Sequence, residues 1–216
     1  MSEASTEGLY QTTVPALISF PNLLEAKAVT RGKKSLGEPK YSLNLEMTPD
    51  HPDLPLLKAK AVSVARAKWP GVDLSTLAFP FTDGNKLADK AKANGKDREW
   101  SRGRAVLTAR SQFEPRVCAV VNGAMKDFED AARPAAKPYF YNGVDGLIEV
   151  NFVAYDGVGE DGKPGVTAYL QKACSLNKGK KLSGGQTAAE VFKGYVGLAS
   201  ATDPTKGMEL SDDIPF

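Results

Sequence analysis

Tyr41, Leu43, Leu45 and Met47 alternate with Ser42, Asn44 and Glu46. That period of two predicts a half-buried strand. The same period is clearest over 147–155, where Ile148, Val150, Phe152 and Ala154 share one face. Glu149, Asn151, Val153 and Tyr155 share the other. Beyond a Gly- and Asp-rich hairpin loop at 156–165, Val166, Ala168 and Leu170 return inward, leaving Thr167, Tyr169 and Gln171 facing out. Extended stretches are also predicted at 14–20, ending at Pro21, and at 23–30, 105–111 and 116–121, with Asn122-Gly123 turning the chain. A helical period occupies 54–64: Leu54, Leu57, Ala61 and Val64 stand three and four apart. Asp50 or Asp53 is placed to cap this helix, and Pro70-Gly71 to end it near Trp69. Residues 71–100 are irregular and read as a short helix or a loop, and 125–138 as a short helical or irregular connection. Two strands, one helix, then three or more strands predict a mainly β fold with one or two helices. A small β-barrel satisfies this order, and five strands fit an OB-fold.

Composition adds the domain plan. A chain of 216 residues with 42% hydrophobic and 25% charged content can bury one real core. Residues 1–13 predict a flexible N-terminus and 14–181 the globular body, with a basic insertion at about 71–104. Residues 182–216 predict a flexible, Gly- and Ser-rich extension. No apolar run approaches the ~20 residues that span a membrane, and the acidic start does not read as a signal peptide. Cys118 and Cys174 are too few for a disulfide framework and, lying in apolar runs, read as buried thiols of a reducing compartment. A cytoplasmic protein with no membrane partner is expected.

Charge changes the picture more. The net charge is only +2, but residues 58–110 hold twelve basic residues against five acidic ones. The end of the chain is acidic: Asp203, Glu209, Asp212 and Asp213 oppose Lys206 alone. A basic body with an acidic tail is the pattern of a protein that holds a polyanion. Single strands are gripped by basic grooves lined with aromatic rings on which bases stack. Lys96, Arg98, Arg102 and Arg104 surround Trp100, which places a stacking ring among phosphate-binding cations. Tyr139 and Tyr141 share a face if their stretch is extended, Tyr155 and Tyr169 point away from the apolar strand faces, and Lys172 could extend the groove.

Two stretches resemble known families. Asp212-Asp213-Ile214-Pro215-Phe216 at the C-terminus is similar to the tail of bacterial single-stranded-DNA-binding proteins. The resemblance implies a disordered acidic tail that recruits replication and repair enzymes such as a polymerase, helicase or nuclease. From about 16 to 182 the order of features resembles a phage-encoded OB-fold single-stranded-DNA-binding family. It runs through Pro39-Lys40-Tyr41-Ser42-Leu43, the helix, a basic stretch before Arg116-Val117, Tyr141-Asn142-Gly143, the strand 148–156 and Gly165-Val166-Thr167-Ala168-Tyr169-Leu170. This implies a protein that coats and protects single-stranded DNA in phage replication, recombination or repair, possible as a homo-oligomer and acting in the host cytoplasm.

Other chemistry finds little support. Leu182-Ser183-Gly184-Gly185-Gln186 spells an ABC-type signature, but no phosphate-cradling Gly-x-x-x-x-Gly-Lys loop accompanies it. His51 is the one histidine, and the chain is expected to carry no catalytic site, no metal and no cofactor. A replisome adaptor, or a binder of duplex DNA or RNA on the same basic surface, are the alternative readings.

Overall fold

The computed structural model describes residues 8–28, 30–31, 34–35, 38–157 and 162–182. The alternating stretches become strands that close on one another. β1 (Leu9–Gln11), β2 (Ala16–Lys27), β3 (Thr30–Arg31), β4 (Lys34–Ser35) and β5 (Lys40–Met47) come first, followed by helix α1 (Asp53–Lys68). Next are β6 (Phe81–Asp83), α2 (Gly84–Ala93), β7 (Ala105–Ser111), β8 (Arg116–Val121) and β9 (Ala124–Asp127). A 3-10 segment, Asp130–Tyr139, leads to β10 (Val144–Tyr155) and β11 (Gly165–Ser175). The fold is mainly β.

Five strands form a ring. β2 pairs antiparallel with β5, β5 with β7, and β10 with both β11 and β2, while β7 and β11 run parallel. The connectivity is that of an OB-type barrel. Its interior is filled by the predicted inward set: Leu43, Leu45, Ile148, Val150, Phe152 and Leu170 are all buried. α1 adds Leu54, Leu57, Ala61 and Ala65 to the same core, with Val64 half-buried beside them. β8 extends the sheet from β11, and β9 folds back on β8 through the predicted Asn122-Gly123 turn, where both residues have positive φ.

Several expectations are corrected. Pro21 does not end a strand. It lies inside β2, where the register with β5 shifts between Ser19 and Asn22 and Phe20 takes φ 51°. A bulge leaves the proline without a ladder bond to lose, so one bent strand replaces two. The irregular stretch 71–100 contains β6 and α2, and the connection at 125–138 contains β9 and the 3-10 segment. Residues 9–11, inside the expected flexible N-terminus, form β1 on the edge of β10. Cys118 and Cys174 are half-exposed rather than buried. The predicted extension at 182–216 and its tip lie outside the described residues except for Leu182, whose N–H donates to the Asn142 carbonyl at 2.7 Å.

Asp53 does not cap α1 either, although it opens the helix. Pro52 holds the cap position and makes no side-chain bond. The buried Asp53 carboxylate turns outward from the helix and accepts from the backbone N–H groups of Thr13 and Val14 at 2.9 and 2.8 Å, and from the Tyr10 hydroxyl at 2.8 Å. Burial works against the ionised form, but these donors, Val14 foremost, hold the carboxyl below its ordinary value of 3.8. Burial, helped by Asp53, pushes the Tyr10 hydroxyl up to about 12. The group stitches the N-terminal segment to α1.

Because the folded carboxyl is depressed, its contribution is present above the ordinary value of 3.8 and is lost as pH falls through the folded value. Asp53→Ala is expected to cost about 2 kcal/mol at neutral pH, and its difference from wild type should shrink as the solution is acidified. Urea unfolding at both pH values checks this.

Candidate nucleic-acid interface

With the interior filled, the ring offers ligands its outer face. On β5 the outward residues are Ser42, Asn44 and Glu46, and on β7 they are Val106, Thr108 and Arg110. Ser42 stands opposite Arg110 and Asn44 opposite Thr108, and the Thr108 hydroxyl donates to Asn44 Oδ1 at 3.0 Å. This polar strip runs between two aromatic groups.

At one end, a groove of about 640 Å³ opens over Arg110. Tyr155 closes β10, Tyr169 sits in register with Arg110 across the parallel β7–β11 pair, and Phe79 approaches from the segment before β6. Lys40 enters from the start of β5. The outward alternation of β10 and β11 delivers both tyrosines here. Tyr169 keeps 37% of its surface exposed. Neither Lys40 nor Arg110 forms an ion pair among the described residues. Rings, cations and hydroxyls therefore converge on one open trough, the combination that single-stranded nucleic acid requires.

At the other end stands Phe20, 41% exposed and aimed by the β2 bulge, where its N–H donates to Asn142 Oδ1. Trp100 lies 6.3 Å away between ring centroids, and the Arg98 guanidinium is 4.9 Å over the Phe20 ring. Beneath them Glu46 is fully buried. Its carboxylate accepts from the hydroxyls of Ser19 and Ser101 and from Arg98 at 3.3 Å. A carboxylate with no water is tolerated only with such partners. Arg98 also donates to Ser101 Oγ at 2.9 Å, so the network fastens residues 98–101 to the barrel wall. Gly84, at the start of α2, packs so closely on the carbonyls of Ser101 and Arg104 that no Cβ fits. The start of α2 is thereby held against the end of the insertion, which the Glu46 network fastens to the barrel. Glu46 stands four positions beyond Ser42 on β5, about 13 Å of strand between the two aromatic groups.

The other predicted residues fall elsewhere. Arg102 is exposed, but Glu99 at 2.7 Å and Asp89 at 3.0 Å engage it and raise its pKa. Arg104 lines a separate hollow with Lys58, Leu54 and Phe81. Lys96 is exposed just past α2. Lys172 pairs with Glu149 at 3.0 Å. Tyr139 packs on Phe128 at 5.5 Å, and the Tyr141 hydroxyl donates to the Gly179 carbonyl at 3.3 Å. The tip residues 212–216 lie outside the described residues. Lys40, Phe79 and Arg110 were missed by the sequence reading because no local cluster marks them. Phe20 carries no outward signal in the sequence, because it stands at the end of an apolar run, and only the bulge turns it out.

Residues 12–203 match the family model described as Enterobacter phage Enc34, ssDNA-binding protein. The chain belongs to that family. Among solved structures it is similar to the single-stranded DNA-binding protein from bacteriophage Enc34, at 17% identity and TM-score 0.59, covering 84% of this chain and 88% of that one. It is also similar to that protein in complex with ssDNA, at 18% identity and TM-score 0.59, covering 82% and 90%. A third likeness is gp2.5, a single-stranded DNA binding protein encoded by bacteriophage T7, at 11% identity and TM-score 0.51, covering 82% and 90%. At these identities the structural likenesses establish a shared fold. No curated protein sequence matches the chain.

Arg98→Met leaves Glu46 buried without its cation. It is expected to destabilise the protein by about 3 kcal/mol, to be measured by urea unfolding.

Proposed function

We propose that this chain is a non-enzymatic, phage-encoded protein that binds, coats and protects single-stranded DNA during phage replication, recombination or repair in the host cytoplasm. The observation that carries the reading is the outer-face groove, where Arg110 and Lys40 lie beside Phe79, Tyr155 and Tyr169. Family membership supports it, as does the ssDNA complex solved for the Enc34 protein. Bases stack on Tyr155, Tyr169 and Phe79, the Arg110 and Lys40 cations follow the phosphates, and the Asn44–Thr108 strip leads the strand toward Phe20 and Trp100. Stacking accepts every base, so the binding is largely independent of sequence. Lys96 and Arg104 supply longer-range positive potential rather than fixed contacts, while the charge of Lys172 is offset by Glu149. In this reading the tip Asp212-Asp213-Ile214-Pro215-Phe216 recruits a partner enzyme, with an apolar end and flanking carboxylates suited to a greasy pocket with a basic rim.

Tyr155→Ala and Tyr169→Ala are each expected to weaken binding to oligo-dT by about ten- to a hundredfold. Wild-type affinity should fall about tenfold between 50 and 200 mM salt. Arg110→Ala should lower the slope of log affinity against log salt by about one. Fluorescence anisotropy at a series of salt concentrations checks all three. Unchanged affinity in both tyrosine variants would move the site off this groove, and equal competition by duplex DNA would favour the duplex reading.

Deleting residues 212–216 distinguishes the recruiting tail from a body that is itself an adaptor. DNA affinity should stay the same or rise, because the lost carboxylates no longer oppose the phosphates, while pull-down of replication enzymes is lost. An adaptor body would keep the enzymes after the deletion and show no DNA binding to change.

A further inference from the structure

Cys118 and Cys174 lie 56 positions apart in sequence but are register partners on the parallel strands β8 and β11. Register partners project to the same side of a sheet, and neighbouring strands lie about 4.8 Å apart. That spacing falls within the Cα separations a disulfide spans, about 4.4–6.8 Å. Their neighbours Val117, Ala119 and Ala173 point into the core, so the two thiols share the outer face. Each is half-exposed and free. The Met125 thioether of β9 lies 3.3 Å from Cys174 Sγ, and Asp127 stands opposite Cys118 in the β8–β9 register.

The two thiols are unequal. The neighbouring Cys118 thiol lowers the pKa of Cys174. The proximity of Cys174, with burial and the Asp127 charge, raises that of Cys118. A thiolate is the nucleophile in thiol chemistry, so the pair divides into an attacking sulfur and a proton-holding one.

We propose that Cys174 and Cys118 form a modification site for hydroperoxides, in which Cys174 attacks the oxidant and Cys118 resolves the product into a disulfide joining β8 to β11. In the first step the Cys174 thiolate attacks a peroxide oxygen. The O–O bond breaks, Cys174 becomes a sulfenic acid, and the departing oxygen takes a proton and leaves as water from hydrogen peroxide or as an alcohol from an alkyl hydroperoxide. In the second step Cys118 gives up its proton and its sulfur attacks the Cys174 sulfur. The S–S bond forms, the S–O bond breaks, and water leaves. Two electrons pass from the thiol pair to the peroxide. Cys174 stands five positions beyond Tyr169 on β11, about 17 Å along the strand, so the site is distinct from the groove and does not depend on its function.

The test is peptide mapping of the reduced full-length protein after exposure to hydrogen peroxide. The expected product has lost two hydrogens and links the peptides of Cys118 and Cys174, and dithiothreitol reverses it. Cys118→Ser should trap a sulfenic acid on Cys174 that dimedone labels, whereas Cys174→Ser should react about tenfold more slowly. Chains linked only to one another would overturn the proposal. So would label appearing first on Cys118, oxygen accumulating on Met125 ahead of the cysteines, or no reaction at all.

Discussion

Closure of the barrel rests on β10, the strand that has to pair on both sides to complete the ring. Its first residues pair with β2 while its length pairs with β11, and the register along β11 shifts between Glu149 and Val150. The extra residue, Gln171, lies in β11, between the residues that pair with β7 and those that pair with β8, and lets that strand bend around β10. Gly146 belongs to the crossing, in register with Ala16 on one side and Ser175 on the other, and a Cβ there would strike the Ile18 side chain and the Cys174 carbonyl. A residue without a side chain is thus what brings β2 and β11 close enough on either side of β10.

Everything about the proposed interface follows from that closure. The ring is narrow, and Leu45, Leu107, Ile148 and Leu170 fill it. A filled barrel has no lumen for a ligand, so binding falls to the outer wall. On that wall the β5–β7 strip is polar and hydrogen-bonded, with aromatic rings at each end. Glu46 shows how the wall is finished. Left bare it would be one more exposed acid facing a polyanion, but the insertion covers it, and Arg98 with two serines neutralises it. The insertion thus removes a negative charge from the candidate DNA path and props Trp100 beside Phe20 in the same arrangement.

How much was legible in the sequence depended on range. The strands at 41–47, 147–155 and 166–171 and the helix stripe at 54–61 were readable because period and burial are local. The outward placing of Tyr155 and Tyr169 followed from the same alternation. Long-range pairing was not readable. Arg98 looks like a free phosphate contact until Glu46, 52 residues earlier, is seen beneath it. Asp53 looks like a helix cap until Thr13 and Val14 arrive. Arg110 looks like one basic residue among twelve because its aromatic neighbours come from other strands. Pro21 misled because a bulge satisfies what a regular strand cannot. Charge counting located the basic region, but not which of its cations pair with carboxylates.

Photo-crosslinking tests the central claim most directly. A short single-stranded oligonucleotide carrying 5-iodouracil, irradiated on the full-length protein and mapped by mass spectrometry, reports which side chains touch bases. The account predicts crosslinks at Phe79, Tyr155 and Tyr169 and at the Phe20–Trp100 group. Crosslinks concentrated instead at Tyr139, Tyr141 or β9, with none in the groove, would contradict it.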